Sequence, residues 1–173
     1  MIELQPAAEA DLPDIVALTN WAYRGTGPQS SWTVESYLAG ERTTEAALSE
    51  DLAGKPGAQL LVWRDAAGEL LGHVWLEPVA EAVWYLGLLS VRPDRQDRKL
   101  GRTLLAAAED VARSRGVRRM RMRVINVRDT LIAWYERRGY ALTGEIEPFP
   151  YGDDRFGRPL RDDLCFVVLE RAL

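Results

Sequence analysis

The stretch from Val91 to Leu105 carries the residue types best suited to binding an anion. Pro93 ends a hydrophobic run because proline has no N–H to give to a strand ladder, and a helical pattern begins at Leu100. Such a junction presents unpaired backbone N–H groups and the positive end of the helix dipole, which favour a phosphate. Five cations accompany two acids there, namely Arg92, Arg95, Arg98, Lys99 and Arg102 with Asp94 and Asp97. An ordinary strand–loop–helix connection with a solvated charged surface fits the spacing equally well.

One tyrosine and one glutamate outside this stretch each have a structural and a chemical interpretation. Tyr135 lies four residues after Leu131 on a predicted helix, where a tyrosine either packs in the core or presents its phenol to a site. The strand before the basic loop, Trp84 to Ser90, contains no acid. Glu77, on the preceding strand, follows Trp75 by two residues and can face inward beside it. A solvated acid at a strand end is the competing interpretation.

Other reactive side chains have simpler interpretations. His73 is typical of a strand residue with a satisfied hydrogen bond, and Cys165 of a small core hydrophobe. No group of His, Cys and Asp has the spacing of metal ligands, so we expect no metal. The arginines from Arg113 to Arg123 are dense enough to suggest nucleic acid. A net charge of −4 and the lack of aromatics among them make that a minority interpretation, and we expect no nucleic-acid partner.

Composition indicates a globular protein. With 173 residues, of which 47% are hydrophobic and 28% charged, the chain is expected to form a single domain over residues 1–173 with a sizeable core. We expect no membrane attachment, because the first residues lack a signal-peptide pattern and no apolar run is long enough to span a bilayer. The one cysteine excludes an internal disulfide framework, so we expect a reducing compartment, the cytoplasm.

Hydrophobic periodicity and turn residues predict the elements that position these side chains. A helix begins at Asp11, and further helices are predicted over Trp32–Ala39, Thr44–Leu52, Leu100–Arg115 and Arg128–Arg138. Strands are predicted over Met1–Ala7, Gln59–Asp65, Leu70–Glu77, Ala82–Val91, Val117–Val124, Tyr140–Glu147 and Leu164–Glu170. Short connections make the middle strands antiparallel, whereas the strand–helix–strand unit around Leu100 predicts a parallel pair. Gly87, inside a strand, indicates a bulge or a kink.

Two motifs resemble those of the GNAT N-acetyltransferase superfamily. Val91-x-Pro-x-x-Gln-x-x-Lys-x-Gly101 followed by a Leu-Leu helix resembles its acyl-CoA-binding motif, with Lys99 in place of the first glycine. The segment ending in Trp134-Tyr135 and Gly139-Tyr140 resembles its Leu-Tyr-x-x-x-Gly-Phe motif. The order of elements matches from Ile2 to Leu169. The resemblance implies an α/β GNAT fold: a single mixed, mostly antiparallel sheet of about seven strands, with helices on both faces and a splay at the cofactor site.

The resemblance also implies roles for particular residues. Tyr135 would be the acid that protonates the departing thiolate, and Glu77 is our candidate base because the usual strand position holds no acid. Acetyl-CoA, as co-substrate, would contact the end of the strand, the loop and the helix start, and beyond them Asn126 and Arg128. The cofactor residues on the strand, loop and helix are Leu89, Ser90, Val91, Gln96, Asp97, Arg98, Lys99, Leu100, Gly101, Arg102 and Thr103. The predicted acceptor-binding residues are Tyr23, Trp32, Trp75, Phe149 and Tyr151.

The expected function is transfer of an acetyl group from acetyl-CoA to a primary amine by direct attack. The aromatic content of the predicted acceptor residues indicates a small-molecule site. A non-catalytic CoA-binding regulatory domain and a protein N-terminal or lysine acetyltransferase are the alternatives. A second copy of the chain, as in a homodimer, stays open as a further partner.

Overall fold

The computed structural model describes residues 2–29 and 31–173, without the side chains of Gln96 and Asp97. The elements in the first half of the chain are β1 (Gln5–Pro6), α1 (Leu12–Arg24), β2 (Leu38–Ala39), α2 (Glu45–Gly54), β3 (Gln59–Arg64), β4 (Leu70–Ala80) and β5 (Val83–Val91). Those in the second half are α3 (Leu100–Ser114), β6 (Arg119–Ile125), α4 (Asp129–Glu136), β7 (Ala141–Pro148), β8 (Arg158–Pro159) and β9 (Cys165–Ala172). A short 3-10 segment, Pro93–Arg98, joins β5 to α3. Among these residues no helix is both long and apolar enough to cross a membrane.

Seven strands form one mixed sheet in the order β1-β3-β4-β5-β6-β9-β7. The β5–β6 pair is parallel and the other pairs are antiparallel. The predicted crossover from β5 through α3 to a parallel β6 is therefore confirmed. Strands β2 and β8 form a separate antiparallel pair that the sequence did not predict.

Helices cover both faces of this sheet, as predicted. On one face Ile15 of α1 and Leu48 of α2 pack in a buried cluster with Leu60 of β3. On the other face Leu104 of α3 and Tyr135 of α4 belong to the largest buried cluster, together with residues of β3 to β6 and β9. The alternation of strand side chains explains how neighbouring residues of β3 reach opposite clusters.

Helix α3 forms because its sequence has a single apolar stripe. Leu104, Leu105, Ala108 and Ala112 recur at helical spacing, and each is at most 2% exposed. Burying each of the two leucines contributes roughly 1.5–3 kcal/mol relative to exposure. This face fixes the helix against β4 and β5, so the beginning of α3 is held beside the end of β5.

The prediction of a helix over 32–39 is wrong. The Glu35 N–H donates to the Tyr23 carbonyl at the end of α1 over 2.9 Å, and β2 pairs with β8. These partners take up backbone groups that a helix would satisfy within itself. The Glu35 side chain is also held in the interior by two guanidiniums, so tertiary contacts override the local helical pattern. The predicted first strand is reduced to β1, and Met1 lies outside the described residues.

Candidate functional site

The sheet opens between β5 and β6. In the part of the chain that is described, these strands pair only where Val83–Tyr85 faces Arg119–Arg121, whereas β6 stays paired with β9 as far as Ile125. Beyond Tyr85 the two strands separate and leave a wedge-shaped gap. The edge of β5 that faces β6 therefore has backbone groups available to a ligand.

A bulge in β5 shapes one wall of this gap. Its pairing with β4 shifts after Trp75–Gly87, so that two residues of β5 oppose one of β4. Leu88, inside the bulge, has a φ of 47°. A Cβ added to Gly87 would lie 2.8 Å from a ring carbon of Tyr85, so glycine allows that ring to lie against the strand. The bulge predicted at Gly87 is confirmed.

A cavity of about 290 Å³, which we call the donor-side cavity, lies between β5, the start of α3, α4 and the end of α1. Among its lining residues are seven that were predicted to bind the cofactor: Leu89, Ser90, Val91, Lys99, Gly101, Arg102 and Arg128. Tyr135 lines it as well, as do Tyr23 and Trp32, which were predicted for the acceptor. The structure thus brings the end of β5, the basic loop and the tyrosine of α4 around one space.

The loop before α3 divides its cations into two groups. Arg92 pairs with Asp94 at 2.7 Å and Arg95 with Glu69 at 2.5 Å, so these two are already neutralised. Lys99, by contrast, is exposed and lines the donor-side cavity. Its φ of 59° and ψ of 25° lie in the left-handed region, where glycine is the favoured residue. Lysine thus occupies a glycine-like conformation at the position where the resembled motif has glycine.

Arg138 is a site residue that the sequence analysis missed. Its Cζ lies 3.5 Å from the centroid of the Trp134 ring, and both residues line the donor-side cavity. Its Nε is buried and has no hydrogen-bond partner among the described residues. Burial, and then repulsion from Arg137 and Arg102, lower the pKa of Arg138. A ligand anion here would satisfy an unpaired donor and relieve that repulsion.

Tyr135 separates two cavities. It is 6% exposed, packs edge-to-face against Trp134 and Tyr140, and lines both the donor-side cavity and a second one. Its hydroxyl has no hydrogen-bond partner within the described part of the chain. Burial raises the pKa of Tyr135 well above its usual value of 10.0, so the phenol keeps its proton at neutral pH.

The second cavity, which we call the acceptor-side cavity, has a volume of about 100 Å³ and lies where β5 and β6 begin to separate. Leu86 and Met122 line it beside the last β5–β6 pair. Aromatic and arginine side chains make up much of the remaining wall: Tyr23, Tyr85, Phe156, Phe166, Arg42, Arg123 and Arg128. Of the described residues that line it, Glu35 alone is acidic.

Glu35 is buried as the bridge between two guanidiniums. One oxygen accepts from Arg24 at 2.7 Å and the other from Arg128 at 3.3 Å. Arg128 also donates to the Thr33 carbonyl at 2.9 Å. These bonds hold the segment before β2 over the gap. They also fix the position of Arg128, the N-cap residue of α4, which lines both cavities.

The predicted base and its neighbour lie elsewhere. The Glu77 carboxylate accepts from the indole N–H of Trp75 and from the Lys55 ammonium, each over 3.1 Å. Trp75 is buried in the cluster beneath α1 and α2. Neither residue lines the two cavities. Glu77 is therefore an acidic residue of β4 that joins the C-terminal end of α2 to the sheet through its ion pair with Lys55.

Three further predicted residues support the site from outside. Phe149 is buried and stacks on Phe166, a cavity-lining ring, with centroids 5.7 Å apart. The Tyr151 hydroxyl donates to the Arg161 carbonyl and accepts from Leu164 N–H, both over 2.9 Å. The Asn126 side chain is occupied by the Asp163 carbonyl and the Cys165 N–H, both over 3.0 Å, and therefore joins the end of β6 to β9.

Three other predicted cofactor residues, whose side chains are described, do not line the cavities. Arg98 is exposed, Leu100 is buried under the start of α3, and the Thr103 hydroxyl donates to the Lys99 carbonyl over 3.2 Å. The side chains of Gln96 and Asp97 lie outside the described residues.

Sequence reasoning missed most of the polar residues around the acceptor-side cavity. Arg123 was noted only as part of an arginine-rich strand, and Arg42 and Glu35 lie in segments without a motif. Arg138 had a usable signal, since it follows Tyr135 by three residues within the helix predicted over Arg128–Arg138, a spacing at which helical side chains are neighbours.

Comparisons with known proteins agree with this geometry. The model of the acetyltransferase (GNAT) family matches residues 19–140. An L-methionine sulfoximine/L-methionine sulfone acetyltransferase from Pseudomonas paraeruginosa is 29% identical over 170 residues, which cover 96% of this chain and 92% of that protein. A spermidine N(1)-acetyltransferase from Thermoplasma acidophilum is 25% identical over 142 residues, or 80% of this chain and 88% of the relative.

Solved structures support the fold. The ribosomal-protein-S18-alanine N-acetyltransferase from Escherichia coli superimposes with a TM-score of 0.68 at 19% identity, covering 99% of this chain and 94% of that one. The predictions of a GNAT fold and of an N-acyltransferase are confirmed, and members of this family generally use acetyl-CoA as acyl donor. Because the family match spans well over half of its length, the chain belongs to the acetyltransferase (GNAT) family.

Proposed function

We propose that this protein transfers an acetyl group from acetyl-CoA to the primary amine of a small molecule. The observation that supports this most is that two adjoining cavities meet at Tyr135, in the gap where β5 leaves β6. One cavity, of about 290 Å³, has basic lining residues suited to a donor with phosphates. The other is small and enclosed by aromatic rings, which is typical of a small-molecule site.

The residues of the donor-side cavity fit acetyl-CoA. The open edge of β5 at Leu89–Val91 offers backbone donors and acceptors to the amides of a pantetheine arm. The start of α3, with Lys99 and Arg102, suits a pyrophosphate, because N–H groups and the helix dipole point there. The unpaired buried Nε of Arg138 is a further donor for a phosphate oxygen.

Acetyl-CoA supplies a thioester, whose C–S bond breaks as the amine nitrogen forms a C–N bond with the carbonyl carbon. The amine must lose a proton and the sulfur must gain one. Tyr135 is suited to the second task because its raised pKa keeps the phenol protonated and its hydroxyl has no other partner among the described residues. For the first task a chain of water molecules fits better than Glu77, whose contacts lie away from both cavities.

A protein terminus and a non-catalytic role are the weaker candidates. A cavity of about 100 Å³ suits the reactive end of a small acceptor. Curated relatives named for an L-methionine derivative and for spermidine also favour small amines. We place the protein in the cytoplasm on the strength of one free cysteine, Cys165.

Thermal unfolding with acetyl-CoA, CoA and dephospho-CoA tests donor binding, because a ligand that binds only the folded state raises the melting temperature. Release of CoA thiol in the presence of pooled amines tests turnover. We expect stabilisation by acetyl-CoA and CoA, and thiol release with at least one pool. Stabilisation without thiol release from any amine would instead support a CoA-binding regulatory domain, and no stabilisation would refute donor binding.

A further inference from the structure

Three guanidiniums alternate with two aromatic rings along the wall of the acceptor-side cavity. The Tyr23 ring lies between Arg128 and Arg42, whose Cζ atoms are 5.6 and 5.3 Å from its centroid. The Phe156 ring lies between Arg42 and Arg123, at 5.0 and 5.8 Å. All five residues line the cavity. The faces of the rings attract the cations and allow like charges to gather in one place.

The nearby carboxylates do not neutralise these cations. Glu35 is shared by two guanidiniums, and Glu147 accepts from Arg123 over 3.0 Å. The backbone N–H of Arg42 donates to Asn20, but its guanidinium has ring contacts and no hydrogen bond or ion pair with the described residues. Of the described residues that line this cavity, three are arginines and one is a glutamate, and counting the outlying partners Arg24 and Glu147 gives four guanidiniums against two carboxylates. The excess positive charge lies among half-buried rings, where water screens it less than at an open surface.

This charge pattern selects among amines. A polyamine would add positive charges to a positive cavity, whereas an acceptor with its own carboxylate would supply the missing anion. Arg42 has both the free donors and the planar group that bind a carboxylate through two parallel hydrogen bonds. The cavity is small and shares Arg128 and Tyr135 with the donor-side cavity, so the carboxylate and the reacting amine must lie close together.

We propose that the acceptor is an α-amino acid or a close analogue, and that Arg42 binds its carboxylate, assisted by Arg123. The proposal rests on the function proposed above and names its substrate class. It also bears on how the amine loses its proton. Positive surroundings favour the neutral form of an ammonium group, so the site itself promotes deprotonation without a carboxylate base in contact with the amine.

The test uses matched sets of amines: L-amino acids with apolar and with polar side chains, their methyl esters, the corresponding decarboxylated amines, and spermidine. Binding to the complex of the protein with CoA is measured by calorimetry, and turnover with acetyl-CoA by thiol release. We expect at least one amino acid to bind at least tenfold more tightly than both its ester and its decarboxylated amine. Arg42→Gln should abolish this difference, and Arg42→Lys should keep part of it.

Arg119→Gln is the matched control, since Arg119 is exposed on β6 away from both cavities. It should retain the preference, and the affinity for CoA should be the same in all variants. The proposal would be overturned if the esters, the decarboxylated amines or spermidine bound as tightly as the amino acids or more tightly. It would also be overturned if no amino acid bound, or if the preference for amino acids survived in Arg42→Gln. Thiol release with any amine upholds the proposed function independently of these outcomes.

Discussion

Lys99 allows the backbone and side-chain contributions to anion binding at the start of α3 to be separated. Its left-handed conformation, with φ of 59°, costs an L-residue about 1–2 kcal/mol. Glycine avoids this cost but loses about 0.5–1 kcal/mol through the greater freedom of its unfolded chain. We therefore expect Lys99→Gly to be more stable than the natural protein by up to about 1 kcal/mol, or about 2–4 °C in Tm for a chain of this size.

The same substitution should change donor affinity only modestly. Lys99 is exposed, and an exposed charge contributes about 0.2–1 kcal/mol to an ionic contact, which corresponds to at most about a fivefold change in Kd. Lys99→Ala removes the same charge but keeps a side chain in the left-handed region. Both variants should therefore lose the same small amount of acetyl-CoA affinity, whereas only the glycine variant should gain stability.

The assays are thermal unfolding without ligand and calorimetry with acetyl-CoA. If Lys99→Gly melts no higher than Lys99→Ala, the argument from backbone strain is refuted. A hundredfold loss of affinity in both variants would show that the ammonium group, and not the backbone N–H groups of the loop and helix, carries the contact with the phosphates.

Three other residues give predictions of different kinds. Tyr135→Phe should lower kcat by at least tenfold while the Kd for acetyl-CoA changes less than threefold, because a proton donor to sulfur acts in the transition state; an unchanged kcat would make Tyr135 a packing residue. Glu109→Ala should lower the free energy of unfolding, measured in urea, by about 3 kcal/mol. The Glu109 carboxylate accepts from the buried Tyr140 hydroxyl over 2.9 Å and from Arg171 over 2.8 Å, and the substitution leaves both donors without an acceptor. A loss below about 1 kcal/mol would contradict this, and Asp110→Ala, on the exposed side of α3, is the control. Burial lowers the pKa of His73 from 6.5 to about 3. Between these two pH values the unfolded protein binds a proton that the folded protein does not. The free energy of unfolding should therefore fall by up to about 1.4 kcal/mol for each unit by which the pH is lowered. His73→Gln should lose this part of the slope, and an identical slope in both proteins would show that other groups are responsible.

The sequence predicted the elements around β5, α3 and β6 because their signals are local. Alternating residues in β6, the apolar stripe of α3 and the proline after β5 each specify one element within a short window. A strand–helix–strand connection of this kind makes β5 and β6 parallel neighbours, and the sheet divides between these two strands. The residues of the donor-side cavity follow from this, since they lie at the end of β5 and the beginning of α3.

The acceptor-side cavity was harder to predict because its residues come from separate parts of the chain. Arg42, Arg123 and Phe156 meet only when the segments before α2 and after β7 fold over the gap. Aromatic character and their place in the resembled fold suggested Phe149 and Tyr151, but these residues pack behind the wall or hold the loop. Spacing along the sequence carries no information on which of two nearby rings faces the cavity.

The short β5–β6 pairing sets the depth of the acceptor-side cavity. The register continues from Tyr85–Arg121 to Leu86 and Met122, and these two residues line the cavity instead of pairing. One more β5–β6 residue pair would shorten the cavity by about 3.3 Å, the rise of one strand residue, and one pair fewer would lengthen it by the same amount. The bulge in β5 lies just beyond the last β5–β6 pair, so a change in its position along the strand would change the length of acceptor that this cavity can admit.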